Sequence, residues 1–211
     1  LDIGCGDGDN THLVAKRGAG MTGIDIAPRF IEIARETEAA EPRGIEFLCA
    51  SAVELPFEDE SFDFAVAFMS MQDFPEYDRA LAEAYRVIRP GGFFLFSITH
   101  PCSDVRQRRK ICDENGEPVA FELGGYFEEC EGHVLEWMFG AVPPEMRAKY
   151  RPIRQPYLHH TLSEWCNALV QAGFEFEQME EPRPTPEVLQ THPNMRDCLV
   201  WPYFLIMRWR K

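Results

Sequence analysis

The order of strand and helix signals over the first 99 residues constrains the fold of this chain more than any other feature. Residues 1–3 read as the end of a strand, 11–17 as a helix and 21–26 as a strand. Residues 28–40 follow as a helix with Pro28 just inside its start, and 45–49 as a third strand. Residues 62–69 then read as a buried strand, 78–88 as a helix closed by Arg89-Pro90-Gly91-Gly92, and 93–99 as another buried strand. Such alternation predicts an α/β fold, a parallel sheet with helices on both faces.

Residues 101–160 lose this rhythm and are rich in Gly, Pro and aromatics, which marks an insertion or cap after the fifth strand. Order returns at Thr161-Leu162-Ser163-Glu164, a capping box opening a helix that stops at Gly173. Residues 174–179 and 199–209 read as two last strands, separated by a Pro-rich stretch over 181–193. The expectation is one domain over 1–211, with a ligand-binding half over 1–100, an insertion over 101–160 on the acceptor side, and a closing helix and strands over 161–211. The chain opens on Leu1-Asp2-Ile3-Gly4, already at a strand end, so an N-terminally truncated domain is expected.

Composition narrows the partners. With 45% hydrophobic and 27% charged residues the chain suits an ordinary globular core, and its apolar runs fall far short of the roughly 20 residues that span a bilayer, so no membrane span is expected. The 35 acidic against 21 basic residues give a net charge of −14, of which −10 lies in residues 1–102 (8 bases minus 18 acids), and nucleic acid is a disfavoured partner. The bases that cluster, Arg106, Arg108, Arg109 and Lys110, then Arg147, Lys149, Arg151 and Arg154, read as solvated faces, with a carboxylate-bearing acceptor as the rarer alternative. Seven cysteines form no C-x-x-C pair, which fits a reduced, cytoplasmic setting. Cys130 and His133 have a metal-like spacing that no second pair answers, so no metal is expected.

The most informative stretch is Asp2-Ile3-Gly4-Cys5-Gly6-Asp7-Gly8, where the first strand meets the first helix. A dinucleotide fingerprint reads G-x-G-x-x-G; here the third glycine comes one position early, and Asp9 stands where that pattern wants glycine. Carboxylates at Asp2 and Asp7 oppose a phosphate and suit a cationic amino acid or sulfonium. Seventeen residues after Gly8, Asp25 ends the second strand, where an acid can accept hydrogen bonds from ribose hydroxyls. Together these describe a nucleoside with a positively charged amino-acid tail.

Four motifs in order, Leu1-Asp2-Ile3-Gly4-Cys5-Gly6-Asp7-Gly8, Gly23-Ile24-Asp25, Leu55-Pro56-Phe57 with Ser61-Phe62-Asp63, and Arg86-Val87-Ile88-Arg89-Pro90-Gly91-Gly92, resemble the class I S-adenosylmethionine-dependent methyltransferases, and within them the small-molecule methyltransferase-11 group. The resemblance covers residues 1–99 and, more loosely, 161–209. It implies a Rossmann-like, doubly wound, mostly parallel seven-stranded sheet with its last strand antiparallel, and S-adenosyl-L-methionine as cofactor. It further implies that Asp2, Gly4, Cys5, Gly6 and Gly8 cradle the methionine part, that Asp25 holds the ribose, and that Ile26 lies against the adenine. Where the family has an acidic residue before Ala, this chain has Ser51-Ala52, so the side-chain contact to the adenine amine would be weakened or replaced by water, while the Ala52 amide could still serve the adenine. Phe68, Met69 and Met71 fall where the family places residues under the sulfonium and beside the acceptor; aromatic faces and soft sulfur tolerate such a cation, although strand core is an equally good reading of Phe68 and Met69.

His100 ends the fifth strand and is either a proton acceptor or, more commonly for such a residue, a capping or packing histidine. Cys102 has no nucleophile motif around it. The aromatics of the insertion, Tyr126, Phe127, Trp137, Phe139, Tyr150 and Tyr157, with His159 and His160, suit a lid or a small core of their own; Tyr126, Tyr157 and His159 are the candidates to face a small-molecule acceptor. The activity expected is methyl transfer to an O, N or C atom of that acceptor. A non-catalytic nucleoside-binding protein or inactive partner subunit is the alternative, and the oligomeric state is left open.

Overall fold

The computed structural model describes residues 1–128, 130, 132–138, 145 and 149–211. Along the first half the elements are β1 (Asp2–Ile3), α1 (Asp9–Ala15), β2 (Thr22–Asp25), α2 (Pro28–Ala40), β3 (Glu46–Cys49), β4 (Phe62–Phe68), α3 (Tyr77–Val87) and β5 (Ile88–Thr99). Two antiparallel hairpins follow: β6 (Gln107–Cys112) pairs with β7 (Pro118–Gly124), and β8 (Val134–Trp137) with β9 (Ile153–Pro156). The chain closes with α4 (Leu162–Ala172), β10 (Glu175–Glu180), α5 (Pro186–Thr191) and β11 (Phe204–Arg210).

Seven strands form one sheet in the order β10-β11-β5-β4-β1-β2-β3. All neighbours from β5 to β3 are parallel, and β11 is antiparallel to both β5 and β10. The order reverses beside β1, between β1 and β4, and the carboxyl ends of the strands at such a switch point bound the crevice in which α/β sheets take their ligands. Both faces of the sheet are covered. On one, Ala80, Leu81, Ala84 and Val87 of α3, with Trp165 and Leu169 of α4, pack with Phe94, Phe96, Leu205 and Trp209. On the other, Ile31 and Ala34 of α2 pack with Phe47, Val66 and Met21.

Local chemistry sets the ends of α4. The Thr161 hydroxyl accepts from the Glu164 amide at 3.2 Å, and the Glu164 carboxylate accepts from the Thr161 amide at 2.6 Å. At the other end Gly173, at φ 105°, donates to the Val170 carbonyl and Phe174 to the Leu169 carbonyl, the paired bonds of a Schellman stop.

Three sequence expectations need correction. β5 starts at Ile88, not 93, because Gly91 and Gly92 exchange main-chain hydrogen bonds with Lys211 and so carry the pairing with β11 through the Pro-Gly-Gly segment. The last strand starts at Phe204 rather than 199, since residues 193–199 form a 3₁₀ turn. Thr185 caps a short helix, α5, inside the Pro-rich stretch, with Pro186 in its first turn.

Replacing Thr161 by Ala removes one half of the capping box. Urea denaturation is expected to show a loss of about 1 kcal/mol; an unchanged midpoint would mean that the helix start is held by packing alone.

Candidate active site

The glycine turn after β1 is built almost wholly from main chain. The amides of Gly4 and Cys5 both donate to the Ile24 carbonyl, at 2.9 and 2.8 Å, and Gly8 donates back to Cys5 at 3.0 Å. A side chain at Gly4 would strike Cβ of Ser70 at 2.5 Å, and one at Gly8 would strike the Phe47 ring at 2.8 Å. Those two glycines answer to close packing. Gly6 differs: it adopts φ +57°, and a Cβ there would meet nothing within 4 Å. Open space beside a bare, positive-φ backbone is what a ligand lying on the turn requires.

Two carboxylates sit on the strands that adjoin this turn. Asp25 accepts from the Gly6 amide at 2.9 Å through Oδ2 and from the Ala27 amide at 2.8 Å through Oδ1. Each oxygen keeps a further lone pair for a hydroxyl donor. Asp2 is buried at 1% exposure; its Oδ2 accepts from the Thr11 hydroxyl at 2.6 Å, while its Oδ1 is buried with no hydrogen-bond partner among the described residues. Burial pushes the Asp2 carboxyl up to about 6, against the opposing hydrogen bond from Thr11. A buried acceptor left unpaired suits a cationic donor on the ligand. These residues fit an amino-acid-bearing nucleoside.

The far wall is the end of β4. Met69 lies in the left-handed region at φ 55°, and its amide is shared between the carbonyl and hydroxyl oxygens of Ser97, at 2.9 and 3.1 Å. A non-glycine residue there is strained, and such strain clusters at functional sites. Ser70 donates its hydroxyl to the Ile3 carbonyl at 2.7 Å and ties this wall to the glycine turn. Phe68 is half-buried against the core, and Met71 lies wholly inside it at 0% exposure, which removes Met71 from the surface available to an acceptor. Ile26 is 73% exposed beside Asp25. Ser51 and Ala52 are half-buried, with the Ser51 hydroxyl accepting from the Val53 amide at 3.4 Å. Cys5 is buried, and burial with the nearby carboxylates pushes its thiol up, so it serves as wall rather than nucleophile.

The acceptor-side candidates fall into two groups. His100 is buried at 5% exposure; its Nδ1 accepts from the Cys102 amide at 3.1 Å and its Nε2 faces Glu181 at 3.1 Å. Burial holds its pKa below the ordinary value, against the pull of Glu181. Both nitrogens are engaged within the protein, which makes His100 a packing and capping group in this conformation. Tyr126, Tyr157 and His159 do come together. The Tyr126 hydroxyl accepts from the Leu162 amide at 2.9 Å, the Tyr157 hydroxyl donates to the Asp104 carbonyl at 2.7 Å, and the Tyr157 and His159 rings stack 6.0 Å apart. Tyr157, His159 and His160 line a groove of about 390 Å³ with Cys130, His133 and Val134, beside the start of β8 and the end of β9. Phe127 is 86% exposed, and Tyr150 is also exposed; Phe139 and Arg147 lie outside the described residues, as does the Trp137 side chain.

Sequence reasoning missed Asp104, Asp73, Gln155 and Ser70. A pointer existed for the first two, since both follow the carboxyl ends of strands next to the switch point. The basic cluster after β5 is paired: Arg106 with Glu128, Lys110 with Asp197 at 3.0 Å and Arg109 with Glu122, while Arg154 of the second cluster meets Glu136 at 2.8 Å. Among the described residues no set of three or more His, Cys, Asp and Glu is arranged to hold a metal. No described helix is long and apolar enough to cross a membrane.

The burial of Asp2 predicts a signed pH effect. Its folded pKa, about 6, lies above the ordinary 3.8, so the folded state binds the proton more tightly and stability falls as pH rises from about 4 to 6. Asp2→Asn removes this dependence. Urea denaturation should show the variant gaining on the parent across that window, to about 3 kcal/mol at most; parallel curves would contradict the burial argument.

Comparison with known proteins agrees with this geometry. Residues 1–96 match the family described as a methyltransferase domain. A fatty-acid O-methyltransferase of Mycolicibacterium smegmatis is 30% identical over 168 residues, covering 74% of this chain and 61% of that protein. A demethylmenaquinone methyltransferase of Thermus thermophilus is 43% identical over 96 residues, 44% of this chain and 43% of that protein. The chain thus spans less than two thirds of the length of either relative. The crystal structure of an S-adenosylmethionine-dependent methyltransferase from Mesorhizobium loti superposes with a TM-score of 0.75 at 26% identity, over 100% of this chain and 89% of that one. Over its whole length the chain shares the fold of an S-adenosylmethionine-dependent methyltransferase, and over residues 1–96 its sequence matches a methyltransferase domain.

Proposed function

We propose that this chain transfers the methyl group of S-adenosylmethionine to an O, N or C atom of a small-molecule acceptor. The observation that carries the reading is the open space at Gly6, held between a ribose-ready carboxylate at Asp25 and the unpaired, buried Oδ1 of Asp2. Similarity to the small-molecule methyltransferases named above supports the same chemistry.

When bound, the cofactor supplies an electrophilic methyl on a sulfonium. The chain's own residues do the rest by placement. Asp25 fixes the Gly6 and Ala27 amides and turns its remaining lone pairs to the ribose hydroxyls. Asp2 offers its unpaired oxygen to the ammonium of the amino-acid tail, and the cation in turn favours the ionised carboxylate. Exposed Ile26 and the Ala52 amide would hold the adenine. Phe68 and Met69 form the wall beside the methyl, and Tyr126, Tyr157 and His159 the acceptor side, in the segment from residue 101 to 160. Because the positive charge on sulfur is lost as the methyl leaves, a site that excludes water and fixes the attack line accelerates the step by positioning.

Calorimetry with S-adenosylhomocysteine tests the site. Asp25→Ala should weaken binding about 10-fold or more through lost charge-assisted hydrogen bonds, and Gly6→Val should nearly abolish it by filling the open space. Parent-like affinity in both variants would place the cofactor elsewhere.

A further inference from the structure

A group of polar side chains that the cofactor does not need gathers above the ends of β4 and β5. Asp73 follows β4, Asp104 follows β5, and Gln155 on β9 donates to Asp73 at 3.3 Å, so the second hairpin is tied to the far wall of the site. The Asp104 amide donates to the His100 carbonyl at 2.9 Å, and its own carbonyl receives the Tyr157 hydroxyl. Partial burial and then the Asp104 charge push the Asp73 carboxyl up to about 6.

Behind them lies His159, whose side chain is only 3% exposed. Its Nε2 is 2.8 Å from the Tyr126 carbonyl, which can only accept, so Nε2 carries a proton. In the neutral ring Nδ1 is therefore a bare lone pair. It is buried with no hydrogen-bond partner among the described residues and stands 3.9 Å from Oδ2 of Asp104, too far for a hydrogen bond. A buried nitrogen in this state has room for a proton and a carboxylate to stabilise the cation that results.

Resting on the methyl-transfer reading, we infer that Asp104 and His159 form a proton-accepting pair and that the acceptor is an amine or hydroxyl compound whose attacking atom carries a proton. In the step the heteroatom forms a bond to the methyl carbon as the carbon–sulfur bond breaks and its electron pair stays on sulfur. The proton of the heteroatom passes to the Asp104 carboxylate, and from it to the free Nδ1 of His159. Asp104 is the member that meets the acceptor; His159 is a positioning residue. A carboxylate acceptor is disfavoured by the charges of Asp73 and Asp104 and has no proton to give.

The groups around His159 fix the direction of the pH dependence. Burial lowers the imidazole pKa, but Asp104 and the Tyr126 carbonyl, helped by Glu164 at the start of α4, more than offset this and leave it raised above 6.5. The neighbouring His160, Tyr157 and Cys130 complete its surroundings. Below the raised pKa the ring is already a cation and cannot share another proton, so turnover should fall on the acid side.

The test measures S-adenosylhomocysteine release with a panel of primary amines, alcohols and phenols, with free fatty acids as carboxylate controls, from pH 5.5 to 9. Amines or hydroxyl compounds should turn over, with an acid limb above pH 6.5. Asp104→Asn should cut kcat by about 100-fold or more, and His159→Gln should flatten the acid limb, both with unchanged calorimetric affinity for S-adenosylhomocysteine. Histidine ¹⁵N NMR gives a readout without turnover: the His159 pKa should drop in Asp104→Asn. Turnover of fatty acids alone, no turnover of any amine or hydroxyl compound by a parent that binds the cofactor, parent-like kinetics in both variants, or a His159 pKa indifferent to Asp104 would each overturn the inference. A parent that fails to bind S-adenosylmethionine would instead overturn the reading beneath it.

Discussion

The hydrogen bond from the Gly6 amide to Asp25 is the contact on which the site depends. It joins the turn after β1 to the end of β2, and the Ile24 carbonyl, taking the Gly4 and Cys5 amides, fixes the same turn one residue earlier. Ser70 closes the third side through the Ile3 carbonyl. Three neighbouring strands thus hold a stretch of main chain that has no side chain of its own with which to hold a shape. The result is rigid where glycine would otherwise be loose, and it leaves Gly6 facing open space. Preorganisation of this kind means that little ordering cost falls on ligand binding.

The electrostatics follow from the same construction. Acidic groups gather at the strand ends, with Asp2 and Asp25 at the turn and Asp73 and Asp104 after β4 and β5, in a chain of net charge −14. Four basic residues of the insertion, Arg106, Arg109, Lys110 and Arg154, are paired with Glu128, Glu122, Asp197 and Glu136. A cationic donor is favoured there, and a polyanion is not.

The parallel half was legible because its signals are local: Pro28 starts α2, the Gly-rich run follows β1, and Thr161 with Glu164 marks α4 by side chains that act within one turn. Asp25 was legible through its spacing from the glycines. What stayed hidden depends on distant partners. The start of β5 is set by Lys211, more than a hundred residues away, and the two hairpins of the insertion by cross-strand pairing that leaves a weak periodic signature. His100, at a strand end, left a proton acceptor and a packing histidine both open, and the Glu181 and Cys102 contacts at its nitrogens match the packing reading. Met71 read as a site residue by position, and the 3₁₀ turn after β4 swings it into the core. The strain at Met69 has no sequence signal at all.

The most direct test of the central claim is a crystal structure of the protein soaked with S-adenosylhomocysteine. The account predicts density on the glycine turn, with the ribose hydroxyls on Asp25, the amino group against Oδ1 of Asp2 and the sulfur beside Met69. Density in another cleft, or an empty turn at saturating ligand, would contradict it.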